Sequence, residues 1–209
     1  MARPSTNYLI AYNSVSALLW LAILGRVILL LPLVGFENVY GGVGQFVKWT
    51  QTLALLEIVH SATGLVRSPL VTTLLQVSSR LLLVWPIVDR YPTATAPSPL
   101  YSSMLIAWSV TEVIRYSYFA LNLQGQVPQF ISWLRYNTFY ILYPLGIASE
   151  VGLIWKATKP AGKENSLYAY AMNAIMAIYV PGSYILFTHM MVQRRKVIRG
   201  KAPERRRAN

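Results

Sequence analysis

In the stretch "RYNTFYILYPLGIASE", residues 135–150, a phenol and a carboxylate lie seven positions apart, at Tyr143 and Glu150, inside an apolar run. Seven residues is nearly two helical turns, so on a helix both side chains leave one face with about 10 Å of rise between them. Helical side chains lean toward the N-terminus, which tips Glu150 back toward Tyr143. Pro144 and Gly146 between them weaken the backbone ladder and invite a kink or the close approach of another helix. The spacing leaves room for a small reacting group rather than a direct hydrogen bond. No cation stands at helical spacing from Glu150. Burial without such a partner disfavours the charge, so the ionised carboxylate becomes a stronger base and the protonated one a usable acid. A tyrosine hydroxyl gives or relays a proton without carrying charge at neutral pH. The pair therefore offers acid–base chemistry, and spacing by itself leaves a catalytic and a structural pair both open.

Other polar side chains interrupt apolar runs as well: Arg26, Glu57 with His60, Gln76 with Arg80, Glu112 with Arg115, and Arg135. A charge in hydrocarbon costs roughly 2.5–3.5 kcal/mol on insertion scales, so these groups cannot all face lipid and the bundle must have a polar interior. Glu112 and Arg115, at i and i+3, read as a structural ion pair, the usual way of keeping charge inside. His60 reads as a helix-packing hydrogen bonder. Arg135, near the start of its segment, reads as able to snorkel to headgroups. No HExxH or comparable ligand spacing appears, which argues against a metal site.

The elements that must carry these groups follow from composition. The chain has 209 residues, 55% of them hydrophobic and only 12% charged, with a mean hydropathy of +0.41. That is too little charge to cover a soluble domain of this length and indicates an integral membrane protein. A hydrocarbon core of about 30 Å takes roughly 20 helical residues. Six segments reach that length, at 8–34, 46–66, 70–91, 98–123, 130–156 and 166–192, with "GFENVYGG", "RSP", "RYPTATAPSP", "LQGQVPQ" and "TKPAGKEN" as punctuation between them. Backbone groups in lipid must be satisfied internally, and the alternating pattern of an outer-membrane barrel is missing. The expected fold is all-α, an integral membrane bundle of six transmembrane helices in one domain, residues 1–193. The first segment is too long for a signal-peptide core and is read as a retained span.

Of the 19 basic residues, eight fall in the tail "RRKVIRGKAPERRR", and residues 194–209 are read as a basic cytosolic tail at anionic headgroups. No basic stripe interleaved with aromatics accompanies it, so nucleic acid is not an expected partner. With both termini cytosolic, the inside carries Arg3, Arg67 and the tail, and the first outside loop carries Glu37, while Lys156, Lys159 and Lys163 count against this orientation. Cysteine is absent, which removes disulfides, thiolate metal sites and cysteine nucleophiles.

Four blocks in order, "LEIVHSATGLVRSP", "QVSSRLLLVW", "WSVTEVIRYSYF" and "LRYNTFYILYPLGIASEVGLIW", resemble the very-long-chain (3R)-3-hydroxyacyl-CoA dehydratases of the endoplasmic reticulum. The likeness runs from about Phe36 to Trp155 and is weak in the first segment, the sixth and the tail. It implies a catalytic pair at Tyr143 and Glu150, with Glu57, Gln76, Arg80, Glu112, Arg115, Arg135 and Gly146 as supporting or substrate-binding positions. It implies the third step of fatty-acid elongation, a long-chain 3-hydroxyacyl-CoA substrate, and no cofactor. It further implies an endoplasmic reticulum location and, as partners, the condensing enzyme, the ketoacyl reductase and the enoyl reductase of the cycle. Such proteins have also been called tyrosine-phosphatase-like, but without a cysteine a thiolate phosphatase mechanism has no nucleophile here.

The implied reaction needs a base for the α-proton and an acid for the departing hydroxyl. Glu150 is expected as base and Tyr143 as acid, with the reverse assignment open. Arg80, Arg115 or Arg135 is expected to hold the field around Glu150, polarise the thioester or bind CoA phosphates, and sequence does not choose among them. Two other classes compete: a transporter, which intramembrane charges also suit but which would favour an internal repeat, and a non-catalytic subunit of an elongation complex.

Overall fold

The protein is described by a computed structural model that covers the backbone of residues 4–207 and the side chains of residues 4–197. Arg3 and the tail side chains from position 198 onward lie outside the described residues. Helix accounts for nearly all of the described chain and no strand occurs in it. α1 (Pro4–Val34) leads through a short 3-10 turn, Phe36–Asn38, into α2 (Val39–Thr52) and α3 (Leu55–Ala62). α4 (Leu70–Leu82) continues as a π-helical stretch, Leu83–Asp89, and a single turn, α5 (Pro92–Thr95), precedes α6 (Pro99–Leu123). α7 (Gln129–Asn137), α8 (Phe139–Glu164) and α9 (Ser166–Arg207) complete the chain.

Local chemistry sets these boundaries. Gly35 and Gly125, at φ 74° and 76°, follow α1 and α6 in the left-handed region that glycine enters without a Cβ penalty. Ser98 caps α6 by accepting from the Leu100 amide at 3.4 Å, and Pro99 occupies the first turn, where no N–H is needed. Pro86 has no N–H to give and its ring crowds the preceding turn, which accounts for the wider π ladder around it.

Several boundaries differ from the sequence expectation. The second segment is neither continuous nor confined to 46–66: helix begins at Val39, breaks at Leu53–Ala54, and resumes at Leu55. Tyr12 donates to the Leu53 carbonyl at 3.4 Å, taking up an acceptor at the break. The fifth segment is two helices bent by 45°. α8 then runs through Pro160 to Glu164, where "TKPAGKEN" reads as a loop in sequence; the proline removes one N–H bond and crowds the turn before it, yet the helix continues, and Arg90 and Tyr91 both bond Glu164 at the far end. α9 starts where expected and continues to Arg207.

By length and apolarity, three described stretches can cross a bilayer, Pro4–Val34, Leu70–Asp89 and Ser166–Val197, and the bent pair of α7 and α8 adds a fourth if taken as one span. That is an all-helical protein with apolar spans, counted more conservatively than the six read from sequence. α1 packs along α6, α6 along α8, and α8 along α9. The buried core joins Trp20, Ile23 and Val27 of α1 to Met104, Leu105 and Trp108 of α6 and to Leu153, Ile154 and Ala157 of α8.

Candidate active site

α8 brings Tyr143, Gly146 and Glu150 onto one face, since steps of three and four residues keep side chains in line on a helix. Glu150 meets two neighbouring helices. The Trp108 indole of α6 donates to Oε1 at 2.8 Å, and the Tyr179 hydroxyl of α9 donates to Oε2 at 2.9 Å. Tyr143 donates to the Ser183 carbonyl of α9 at 3.3 Å, and its ring stacks on Phe187 with centroids 6.1 Å apart. Gly146 is buried and lies between the two groups: a Cβ placed there would stand 3.8 Å from Glu150 Oε1 and 3.9 Å from the Ala107 Cβ.

Beside this face lies a connected ion-pair network. Glu112, only 1% exposed, accepts from Arg80 on one oxygen and from Arg115 Nε at 2.7 Å on the other. Arg115 also reaches Glu57 with Nη1 and Nη2, at 2.9 and 2.7 Å, and the Tyr116 hydroxyl donates to the same carboxylate. The expected Glu112–Arg115 pair is therefore one link in a longer chain, Glu57–Arg115–Glu112–Arg80, running across α3, α6 and α4. Its two cations and two carboxylates balance, which is the condition for keeping charge away from water. Arg80 also lies over the Trp108 ring, 5.1 Å from its centroid, so the network ends one side chain away from Glu150.

The remaining predicted positions fall elsewhere. Arg135 is packed among the rings of Tyr118 and Phe119, at 4.3 and 4.7 Å, and has no carboxylate in salt-bridge reach among the described residues. Gln76 is exposed on α4, one turn before Arg80, and stays outside the cluster. His60 bonds the Tyr8 hydroxyl at 2.9 Å rather than Glu57, a helix-packing contact as expected. Arg26 lies 5.6 Å from the Phe46 ring centroid. At the opposite end from Tyr8, Lys48 pairs with Asp89 at 2.9 Å around a cavity of about 10 Å³ that Tyr40 and Tyr101 also line.

Sequence reasoning missed Trp108, Tyr179 and Ser183. Trp108 stands one turn before Glu112, on the same face of α6, and that spacing was the available signal. Tyr179 is one of several tyrosines in the sixth segment, and nothing in its surroundings singles it out.

The family described as "Protein tyrosine phosphatase-like protein, PTPLA" matches residues 51–200, a stretch that includes every member of the site and the ion network. This chain belongs to that family. Among PTPLA-related proteins, the fission yeast Schizosaccharomyces pombe has a "Probable very-long-chain (3R)-3-hydroxyacyl-CoA dehydratase" that is 45% identical over 95% of this chain and 96% of its own length. The rice (Oryza sativa subsp. japonica) dehydratase PASTICCINO 2A is 42% identical over 91% of this chain and 92% of its own. The human very-long-chain (3R)-3-hydroxyacyl-CoA dehydratase 2 is 34% identical over 93% and 82%. No solved structure matches the chain. Within this PTPLA-family member, α1 lies wholly outside the matched stretch, yet it supplies Tyr8 to His60 and Trp20 to the packing around Trp108.

Proposed function

We propose that the protein dehydrates long-chain (3R)-3-hydroxyacyl-CoA to the trans-2-enoyl-CoA within a membrane, with Tyr143 and Glu150 as its acid–base pair. The observation that carries this reading is the arrangement on α8: among the described residues Glu150 is held only by neutral donors, while Tyr143 shares its face across the opening at Gly146. A carboxylate bound by an arginine would be weakened as a base, whereas one held by an indole and a phenol keeps its charge available.

Glu150 takes the proton from Cα, and the released electron pair forms the Cα–Cβ double bond as the Cβ–O bond breaks. Tyr143 supplies a proton to the departing oxygen, so water leaves and a tyrosinate remains. Return of the proton from Glu150 to Tyr143 restores both groups. The bond from Tyr143 to the Ser183 carbonyl is long, at 3.3 Å, and a substrate hydroxyl can replace it. Exchange of the two roles leaves the overall reaction unchanged. Arg80 and Arg115 are committed to carboxylates, which favours Arg135, among the three arginines, as the one open to an anion.

The same reading places six transits in the bilayer with both termini on the cytosolic side. Contacts between helix ends support it: Tyr8 meets His60 at one end, whereas Tyr40 meets Asp89 and Arg90 meets Glu164 at the other. Tyr143 then lies near mid-membrane and Glu150 deeper, with residues 194–209 as the cytosolic basic tail. The acyl chain gains about 0.8 kcal/mol per methylene buried in an apolar environment while the CoA stays in water, which suits a pocket open to the cytosol. An endoplasmic reticulum location and a place beside the condensing enzyme and the two reductases of the elongation cycle complete the proposal. Its test is turnover of a 3-hydroxyacyl-CoA by purified protein: Tyr143→Phe and Glu150→Gln are each expected to abolish it, and retention of most activity by both defeats the assignment.

A further inference from the structure

We propose that Trp108 and Tyr179 are positioning residues that hold the Glu150 carboxylate from two helices with uncharged donors and keep Oε1 over Gly146 for the reaction. The inference rests on the acid–base reading of Glu150. A carboxylate has two oxygens and rotates about its terminal torsion, which is broad and weakly restrained. Here each oxygen is fixed by a different helix, Oε1 by Trp108 of α6 and Oε2 by Tyr179 of α9. Trp108 is itself immobilised: it is 3% exposed, packs edge-to-face on Trp20 at 6.4 Å, and carries Arg80 over its ring.

The donor types matter as much as the geometry. An indole N–H can only donate and never ionises, so it orients the carboxylate without neutralising it. Arg80, the nearby cation, bonds Glu112 instead and is separated from Glu150 by the indole. Its positive charge therefore acts across Trp108 and no direct ion pair forms. Tyr179 adds a second consequence, because it comes from α9: the carboxylate is fully oriented only when α9 is packed against α8.

The test is steady-state kinetics of Tyr179→Phe and Trp108→Phe in the purified full-length protein, with thermal unfolding measured alongside. Partners that orient metal ligands cost about tenfold to a hundredfold when lost, and the same size is expected for partners that orient a catalytic carboxylate. The expected result is a fall in kcat of that size for each variant with KM close to wild type; the melting temperature stays close to wild type for Tyr179→Phe and falls for Trp108→Phe, whose smaller ring leaves buried space. Unchanged kcat in both, or a rise in KM at constant kcat, overturns the positioning roles. Should Trp108→Phe fail to fold, Tyr179→Phe, which removes a single oxygen, decides alone. Glu150→Gln is assayed in parallel: full activity there defeats the acid–base reading itself, whereas an inactive Glu150→Gln beside fully active Tyr179→Phe and Trp108→Phe defeats only this inference.

Discussion

Arg115 grips Glu57 through both terminal nitrogens, at 2.9 and 2.7 Å, and turns its remaining Nε–H to Glu112 at 2.7 Å. One guanidinium thus joins α3 to α6 through two charge-assisted bonds and adds a third within α6, a geometry that depends on its planar fork. Arg115→Lys keeps the charge but cannot reach both carboxylates in that pattern. It is expected to lower stability by about 1.5–3 kcal/mol, the worth of a hydrogen bond to a charged group. Thermal unfolding of the detergent-purified variant reads this, and turnover per folded molecule is expected to stay close to wild type.

Glu112 is the central link of the same network, since it bonds both Arg80 and Arg115. Glu112→Ala leaves Arg80 without its carboxylate and Arg115 with Glu57 alone. Removing one partner from a buried ion network typically costs about 3–5 kcal/mol. The variant is expected to show a sharply reduced yield of monodisperse protein. Normal folding with abolished turnover would instead move Glu112 into the catalytic group.

Which of these relationships the sequence could reveal depends on how local they are. Tyr143, Gly146 and Glu150 share a face because helical periodicity alone decides it, and the Glu112–Arg115 pair follows from the same rule. The bonds Arg80–Glu112, Arg115–Glu57, Trp108–Glu150 and Tyr179–Glu150 instead require knowing which helices are neighbours, and spacing within one segment does not supply that. Boundaries were misread for a related reason. Pro160 looks like a stop signal, but the contacts of Arg90 and Tyr91 with Glu164 favour continuation of α8. The break at Leu53–Ala54 contains neither glycine nor proline, so no local residue announces it.

Gly146 offers a substitution that separates folding from chemistry. A Cβ there meets Glu150 Oε1 and Ala107 at 3.8 and 3.9 Å, ordinary contact distances, so no clash opposes it. Alanine is also the better helix former, by about 1 kcal/mol. Gly146→Ala is therefore expected to fold with an unchanged or raised melting temperature. The added methyl occupies the opening between Tyr143 and Glu150, where a misplacement of about 1 Å can cost on the order of a hundredfold in rate. Comparing thermal shift with kcat/KM checks this: equal activity at equal stability shows that no substrate atom passes over Gly146.

At the other end of the bundle, Lys48 bonds Asp89 at 2.9 Å while Tyr40 donates to the other oxygen of the same carboxylate at 3.2 Å. Lys48 also lies 4.5 Å from the Trp85 ring centroid. Lys48→Met keeps much of the side-chain length but leaves Asp89 with a single neutral donor. It is expected to destabilise the fold by about 1–3 kcal/mol, the cost of an under-satisfied polar group. Because Lys48 and Asp89 bond each other and Tyr40 but not Glu150, kcat is expected to be unaffected, and a loss of turnover without a loss of stability would show that the site extends to this pair.

The strongest statement about the reaction comes from combining substitutions. If Glu150 removes the α-proton while Tyr143 protonates the leaving oxygen in the same event, neither group is useful without the other. Residues acting as one unit show grossly non-additive losses. Tyr143→Phe and Glu150→Gln should then each reduce kcat by about 10²–10⁴-fold, the usual worth of a positioned acid or base, and the double variant should be no slower than the worse single one. Multiplying losses would instead mean that each group lowers the same barrier independently of the other. In that case Glu150 and Tyr143 do not work as a unit, and either one still accelerates the reaction when the other is gone.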